Sequence, residues 1–276
     1  MDESQRCFDQ LAWPEAQKAA KQEGSTVIWP FGACEQHGPQ LPLATDALFA
    51  DRILDAVLSR LDHDCPIWRL PVQSVGFSPE HQAFPGTISF RAELMLQIVE
   101  QVGSQLAAMG VQRLVLFNAH GGQIGLLQVA ARQLRVRCPS MGVLPCFLWS
   151  GVTALPSLIP PEELSNGLHA GQAETSLMLR LASELVGVSR PFDGVHGQNS
   201  PFKPPEGWSL EGAAPCAWLT SDLSKTGVIG NATKASAELG EQLEQALVLH
   251  WKQRLESLLC SEWPPTEGVL GNPLDR

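Results

Sequence analysis

No apolar run in these 276 residues approaches the roughly 20 needed to span a bilayer. The start, Met1-Asp-Glu-Ser-Gln-Arg, lacks the apolar core of a signal peptide, so a cytoplasmic location is expected. Basic residues are scarce: 19 Lys and Arg stand against 29 Asp and Glu, a formal net charge of -10. That balance argues against nucleic acid and against an anionic membrane surface, both of which call for a basic patch; a small-molecule substrate fits better. No Cys-x-x-Cys pair occurs, and the seven cysteines (7, 34, 65, 138, 146, 216 and 260) are odd in number and scattered. Neither a disulfide framework nor a zinc knuckle is indicated, and most of the thiols read as small buried hydrophobes, with Cys34, beside Glu35, set apart.

What the chain does have is core-forming residues. With 44% hydrophobic content it can fold as a single domain over 1–276, with a core of about 20–260 and an irregular tail over 261–276. Helical spacing covers Phe8–Gln22, Ala47–Leu61, Arg91–Met109, Gln123–Arg137, Ala173–Leu185 and Ala232–Leu259. Strand-like runs cover Thr26–Phe31, Ile67–Val72, Val111–Phe117 and Met141–Phe147. This alternation predicts an α/β fold, a parallel or mixed sheet between helices. Residues 187–217, rich in Gly and Pro and without a period, read as a long ordered loop. No internal repeat is present.

Residues able to hold a metal gather at the ends of the strands. After the first strand comes Phe31-Gly-Ala-Cys-Glu-Gln-His-Gly-Pro-Gln-Leu-Pro-Leu-Ala-Thr-Asp46. In extended backbone Glu35 and His37, two apart, point to one side, and the turn through Gly38, Pro39 and Pro42 returns Asp46 at the start of the next helix. Carboxylate and imidazole together suit zinc, manganese or iron; a solvated Glu35, a turn-capping His37 and an N-cap Asp46 are the plainer alternative. Cys34 alternates to the opposite face, which favours packing. The third strand runs into Asn118-Ala-His120-Gly-Gly, again at a carboxyl end, where open α/β sheets place ligands. A third cluster, His169-Ala-Gly-Gln-Ala-Glu174-Thr-Ser, opens a helix, so both charged side chains can reach the same crevice. Taken singly, His120 could be an ordinary buried histidine and Glu174 a helix-dipole carboxylate.

Together these segments resemble the creatininase (creatinine amidohydrolase) family. Its hallmark, Glu-Gln-His-Gly-Pro-x-Leu-Pro-x-x-Thr-Asp, stands without a gap from Glu35 to Asp46. The resemblance continues through His81-Gln-Ala-Phe-Pro-Gly-Thr87, Asn118-Ala-His120-Gly-Gly, His169 to Ser176 and Gly227-Val-Ile-Gly, over roughly residues 26 to 240. It implies a three-layer α/β/α sandwich with a mostly parallel central sheet, assembled as a homohexamer. It also implies two divalent metal ions, Zn2+ paired with Zn2+, Mn2+ or Fe2+. By position, Glu35 and His120 would hold one ion, His37 and Glu174 the other, and Asp46 would bridge them. Such a pair activates water and polarises an amide carbonyl. His169 matches the family's catalytic histidine, a proton shuttle to the departing nitrogen, with Glu174 counted beside it as catalytic.

One departure stands out. True creatininases carry an aromatic residue and then a metal-ligating glutamate after the histidine matching His120; here the positions are Gly121 and Gly122, and the chain has no tyrosine. The second ion then leans on Glu174. The expected activity is hydrolysis of a cyclic or other non-peptide C–N amide of a small molecule. Alternatives are creatininase proper, converting creatinine to creatine; a deformylase acting on a ring-opened purine- or pyrimidine-type formamide; and a catalytically silent metabolite-binding relative, against which the intact ligand set argues. Specificity is expected from the loop Ser78 to Pro85 and the segment 187–217, with Trp149 and Trp208 as candidate wall residues or, more simply, buried ones.

Overall fold

The computed structural model describes residues 6–194 and 202–265. In chain order the elements are α1 (Trp13–Ala20), β1 (Thr26–Phe31), α2 (Thr45–Leu58), β2 (Ile67–Arg69), α3 (Ala92–Met109), β3 (Arg113–Asn118), α4 (Ile124–Arg137) and β4 (Gly142–Phe147). There follow the short helices α5 (Leu155–Leu158) and α6 (Pro161–Asn166), α7 (Gln172–Leu181), β5 (Phe192–Asp193), α8 (Thr220–Leu223), β6 (Gly230–Asn231) and the long α9 (Ala237–Leu259). Among the described residues no helix is long and apolar enough to cross a membrane.

The central sheet has the order β2-β1-β3-β4, every neighbouring pair parallel. Every residue of β1 and β3 is buried, and alternation sorts their side chains between two cores. Val27, Trp29, Phe31, Leu114 and Leu116 pack with α1, α3 and α4 on one face. Ile28, Val115 and Phe117 pack with α2, α7 and α9 on the other. On that second face the Trp251 ring meets Phe117 edge-on at 5.0 Å and its indole N–H donates to Leu148 O at 2.8 Å. The result is the expected three-layer α/β/α sandwich.

The differences from expectation lie at element ends. Pro14 sets the start of the first helix, Trp13–Ala20, because proline fits only a first turn; Glu15 accepts the Ala12 N–H at 3.1 Å there. The second strand stops at Arg69, two residues before Pro71, which has no ladder donor. The last helix begins at Ala237 and not Ala232, capped by the Ser236 hydroxyl accepting from Leu239 N–H at 3.1 Å. Gly110 ends α3 in the left-handed region at φ 107°, as its position suggested. The expected long loop is partly tied down: Phe192 and Asp193 pair antiparallel with Asn231 and Gly230. Residues 195–201 of that loop and 266–276 of the tail lie outside the described residues.

This topology sets up the site. The order reverses between β1 and β3, whose ends are level, Phe31 opposite Asn118, so the loops leaving them open a crevice at their carboxyl ends. Gly32 lets the end of β1 press on α2: a Cβ there would collide with the backbone of Ala47. That contact brings the first turn of α2, and Asp46 with it, up against the end of β1.

Candidate metal centre

Three hydrogen-bonded devices build the crevice. Asn118, at the last position of β3, accepts the His120 N–H at 2.9 Å and donates to His120 O at 2.7 Å, fixing the turn that carries the imidazole. Gln123 donates to Asn118 Oδ1 and Gly32 O at 2.9 and 3.0 Å and accepts the Phe77 N–H at 3.2 Å, clamping three loops together. On the far wall Glu163 accepts backbone N–H groups of Gln172 at 2.7 Å and Asn231 at 2.9 Å, holding the segment that presents His169 and Glu174. Ala170, between those two, takes φ 52°, a left-handed backbone that an alanine adopts at a cost of order 1–3 kcal/mol. Its N–H donates to Glu174 Oε2 at 2.6 Å and its carbonyl accepts from Gln40 at 2.8 Å.

All six expected site residues converge. Glu35, His37, Asp46, His120 and His169 are buried, and Glu174 is half-buried. Asp46 sits inside the first turn of α2, whose N-cap is Ala44, so it is no helix cap. Its two oxygens part: Oδ1 lies 3.3 Å from His37 Nε2 and Oδ2 lies 3.3 Å from His120 Nδ1. Glu35 Oε2 lies 3.2 Å from His120 Nδ1, and Oε1 lies 3.9 Å from His37 Nε2 and 3.8 Å from His169 Nδ1. Potential ligand atoms form three groups, each within 4.8 Å: Glu35–Asp46–His120, His37–Asp46–Glu174, and Glu35–His37–His169.

The hydrogen atoms can be placed by elimination, since a carbonyl only accepts. His120 Nε2 lies 2.9 Å from Phe77 O, His37 Nδ1 3.2 Å from Glu35 O, and His169 Nε2 2.7 Å from Gln36 O. Each ring's N–H is therefore turned outward, and when neutral its other nitrogen presents a lone pair to the carboxylates. Glu35 Oε1 and Oε2, Asp46 Oδ2 and His37 Nε2 are buried with no hydrogen-bond partner. Orphaned acceptors facing one another are what a cation satisfies, and the oxygen and nitrogen donors fit zinc, manganese or iron.

The electrostatics point the same way. Burial opposes charge on His37, but Asp46, Glu35 and Glu174 outweigh it and hold the imidazole up to about 9. His120 is likewise raised, Glu35 and Asp46 overcoming burial, and these two histidines drive Asp46 far below the usual carboxylate range against its own burial. Burial pushes Glu174 up to about 7, with His37 opposing and Asp46 adding to it. His169 is pushed well down by burial and by its neighbours His81 and His37, so it stays neutral.

The structure adds residues to which the sequence attached no role. His81 is buried, with Nε2 3.4 Å from Glu35 Oε1. Glu80 brings Oε1 within 3.5 Å of His120 Nε2, and burial raises its carboxyl. A Cβ at residue 122 would collide with that oxygen, so Gly122 leaves room for the Glu80 carboxylate; beside it, nothing lies within 4 Å of a Cβ at 121. Glu80 and His81 sit in the loop Ser78 to Pro85 expected to shape specificity, but a single 3-10 turn, Pro79–His81, has no period to announce them. Thr220 Oγ1, 2.7 Å from His81 Nδ1, joins from just beyond the loop 187–217. Trp149 is half-buried, edge-on to Phe49 at 6.0 Å, while Trp208 is 56% exposed and so is not a core residue.

The creatininase family, described as creatinine amidohydrolase, matches residues 9–255. A mycofactocin precursor peptide peptidase of Mycobacterium tuberculosis is 32% identical over 260 residues, 89% of this chain and 88% of that protein. A creatinine amidohydrolase of Pseudomonas putida is 26% identical, over 93% of this chain and 97% of that one. Among solved structures, one described as "Creatininase Mn" superposes with a TM-score of 0.73 at 24% identity, over 94% of this chain and 99% of that chain. A family match spanning both sheet ends and the whole crevice settles the kinship: the chain belongs to the creatininase family.

Proposed function

We propose that the protein is a metal-dependent amidohydrolase that cleaves a cyclic or other non-peptide C–N amide bond of a small molecule. The observation that carries this reading is the set of buried, unpartnered acceptor atoms on Glu35, His37 and Asp46, met by His120 and Glu174. Glu35 and His120 would hold one divalent cation, His37 and Glu174 a second, with Asp46 contributing one oxygen to each. Bound there, the ions supply Lewis-acid chemistry, activating water and polarising a carbonyl. Zinc, with zinc, manganese or iron beside it, suits the donors, and the manganese-named creatininase neighbour supports that choice.

The chain's own groups account for the protons. His169 is neutral, its Nε2–H is engaged by Gln36 O, and its Nδ1 lone pair faces the centre. It can take a proton from the attacking water and deliver it to the departing nitrogen, the work of a general base turned acid. Ala170 and Glu174, through their mutual hydrogen bond, fix the segment that presents that imidazole. A single domain, hexameric assembly and a cytoplasmic location belong to the same proposal; the family match over residues 9–255 supports the first of them.

A second reading, hydrolysis of a short peptide's amide, is favoured by the 32% identity to peptidases and by Gly122 standing where the creatininases carry a ligand. Metal-loaded protein incubated with creatinine, other cyclic amides, formamides and short peptides separates the cases by product: creatine, a ring-opened acid, formate or a new amine terminus. Turnover of none of them by protein carrying two ions would defeat the amidohydrolase reading.

A further inference from the structure

His81 and His169 lie ring on ring, centroids 4.1 Å apart and planes 32° apart, yet one residue gives them opposite proton polarity. Gln36 offers its backbone carbonyl to His169 Nε2–H at 2.7 Å and its side-chain amide nitrogen to His81 Nδ1 at 2.9 Å. The amide cannot be turned over. Its Oε1 accepts the Gly38 N–H at 2.9 Å and its Nε2 donates to Gly227 O at 3.1 Å, so reversal would set oxygen against carbonyl and NH2 against N–H. An amide nitrogen only donates; His81 Nδ1 therefore carries the lone pair and Nε2 the hydrogen. Thr220 Oγ1, 2.7 Å from the same Nδ1, is a further donor to it. Gly227 is needed for this arrangement, because a Cβ there would collide with Gln36 Oε1.

Turned inward, His81 Nε2–H lies 3.4 Å from Glu35 Oε1 but out of line with it, and that oxygen has no hydrogen-bond partner. The N–H is thus available to another oxygen entering the centre. His169 Nδ1, 3.8 Å from the same carboxylate oxygen, presents a lone pair beside it. In the opposite tautomer His81 would set a second lone pair against Glu35, to no purpose.

We propose that Gln36 is a positioning residue that fixes these opposed tautomers, so that His81 gives a hydrogen bond to the substrate's carbonyl oxygen while His169 keeps its lone pair for the proton. The assignment rests on the amidohydrolase reading for the substrate's oxygen, though not for the tautomers. A neutral imidazole serves in this role because it donates without giving up its hydrogen, and it strengthens as charge develops on the oxygen. No proton need leave His81, and nothing is oxidised or reduced.

The test is imidazole nitrogen NMR on 15N-histidine-labelled, metal-loaded protein near neutral pH. Wild-type His81 is expected to show a protonated Nε2 and a bare Nδ1. In Gln36→Glu, whose carboxylate only accepts, the hydrogen should move to Nδ1 while both ions stay bound. On the fastest substrate of the panel above, kcat should fall about 10²-fold or more with KM changed far less, the signature of a lost oxyanion donor. Thr220→Val should leave the tautomer in place, since Gln36 alone fixes it. A wild-type His81 protonated on Nδ1 overturns the proposal without any variant, as does a Gln36→Glu protein that keeps both tautomer and kcat. Opposed tautomers in a protein that hydrolyses nothing would sink the amidohydrolase reading and, with it, the substrate-facing role of His81, leaving the positioning by Gln36 standing.

Discussion

The two halves of the centre are built on opposite rules. On the floor, where β1 and β3 end and α2 begins, Glu35, His37 and Asp46 carry buried polar atoms without hydrogen-bond partners. On the roof, where Gln36, His81 and Thr220 meet, each polar side chain is tied to another group. Unsatisfied acceptors cost several kcal/mol if nothing fills the space between them, whereas satisfied ones fix direction. The floor is thus fitted for charge it does not itself contain, and the roof for orientation.

The largest expected break in this contrast is Asp46→Asn. Because each of its oxygens faces a different histidine, both ions should weaken about a hundredfold or more, the scale of removing one partner of a buried charge pair. Glu174→Gln should be selective: the ion shared with His37 weakens and the one at Glu35 and His120 survives, so chelator competition should resolve one tight and one weak ion. Equal weakening of both would break the assignment of two places.

Protons occupy the floor when metal does not, which gives a pH signature. Folding raises His37 from 6.5 to about 9, so its contribution to stability is complete below about 6.5 and is lost as pH rises through about 9. His81, pushed by burial down to about 4, has the opposite sign: its contribution is complete above about 6.5 and is lost as pH falls towards about 4. Metal-stripped protein should therefore melt at progressively lower temperature on either side of neutrality, and metal uptake near pH 7 should release protons, measurable by calorimetry in buffers of different ionisation enthalpy. A smaller effect is expected at the mouth. Gly122→Ala should displace the Glu80 carboxylate and crowd the His120 ring, whose Nε2 would lie 2.7 Å from the added Cβ, altering kcat or KM severalfold and weakening the ion at Glu35 and His120 more than the one at His37 and Glu174.

Much of the floor was legible in the sequence because local rules produce it. Alternation at the end of a strand puts Glu35 and His37 together, and a turn rich in Gly and Pro returns Asp46. The sheet was legible too, since Leu114-Val115-Leu116-Phe117 has the continuous apolar look of a parallel strand covered on both faces. The roof was not. His81 and Thr220 touch across 139 residues, on a single turn and a four-residue helix that leave no periodic trace. Gln36 lay in plain view between two ligand-type residues, but its role depends on Gly38 and Gly227 fixing its amide, which only the folded chain shows. Glu80 was hidden for the same reason: the space it fills is defined by a side chain absent from residue 122.

The most direct test is a metal count on purified protein and on stripped protein titrated with zinc or manganese. Two divalent ions per chain are expected, with His37→Ala losing one of them while keeping its fold by circular dichroism. A protein that takes up no divalent ion, or a His37→Ala variant with unchanged metal content, would contradict the account.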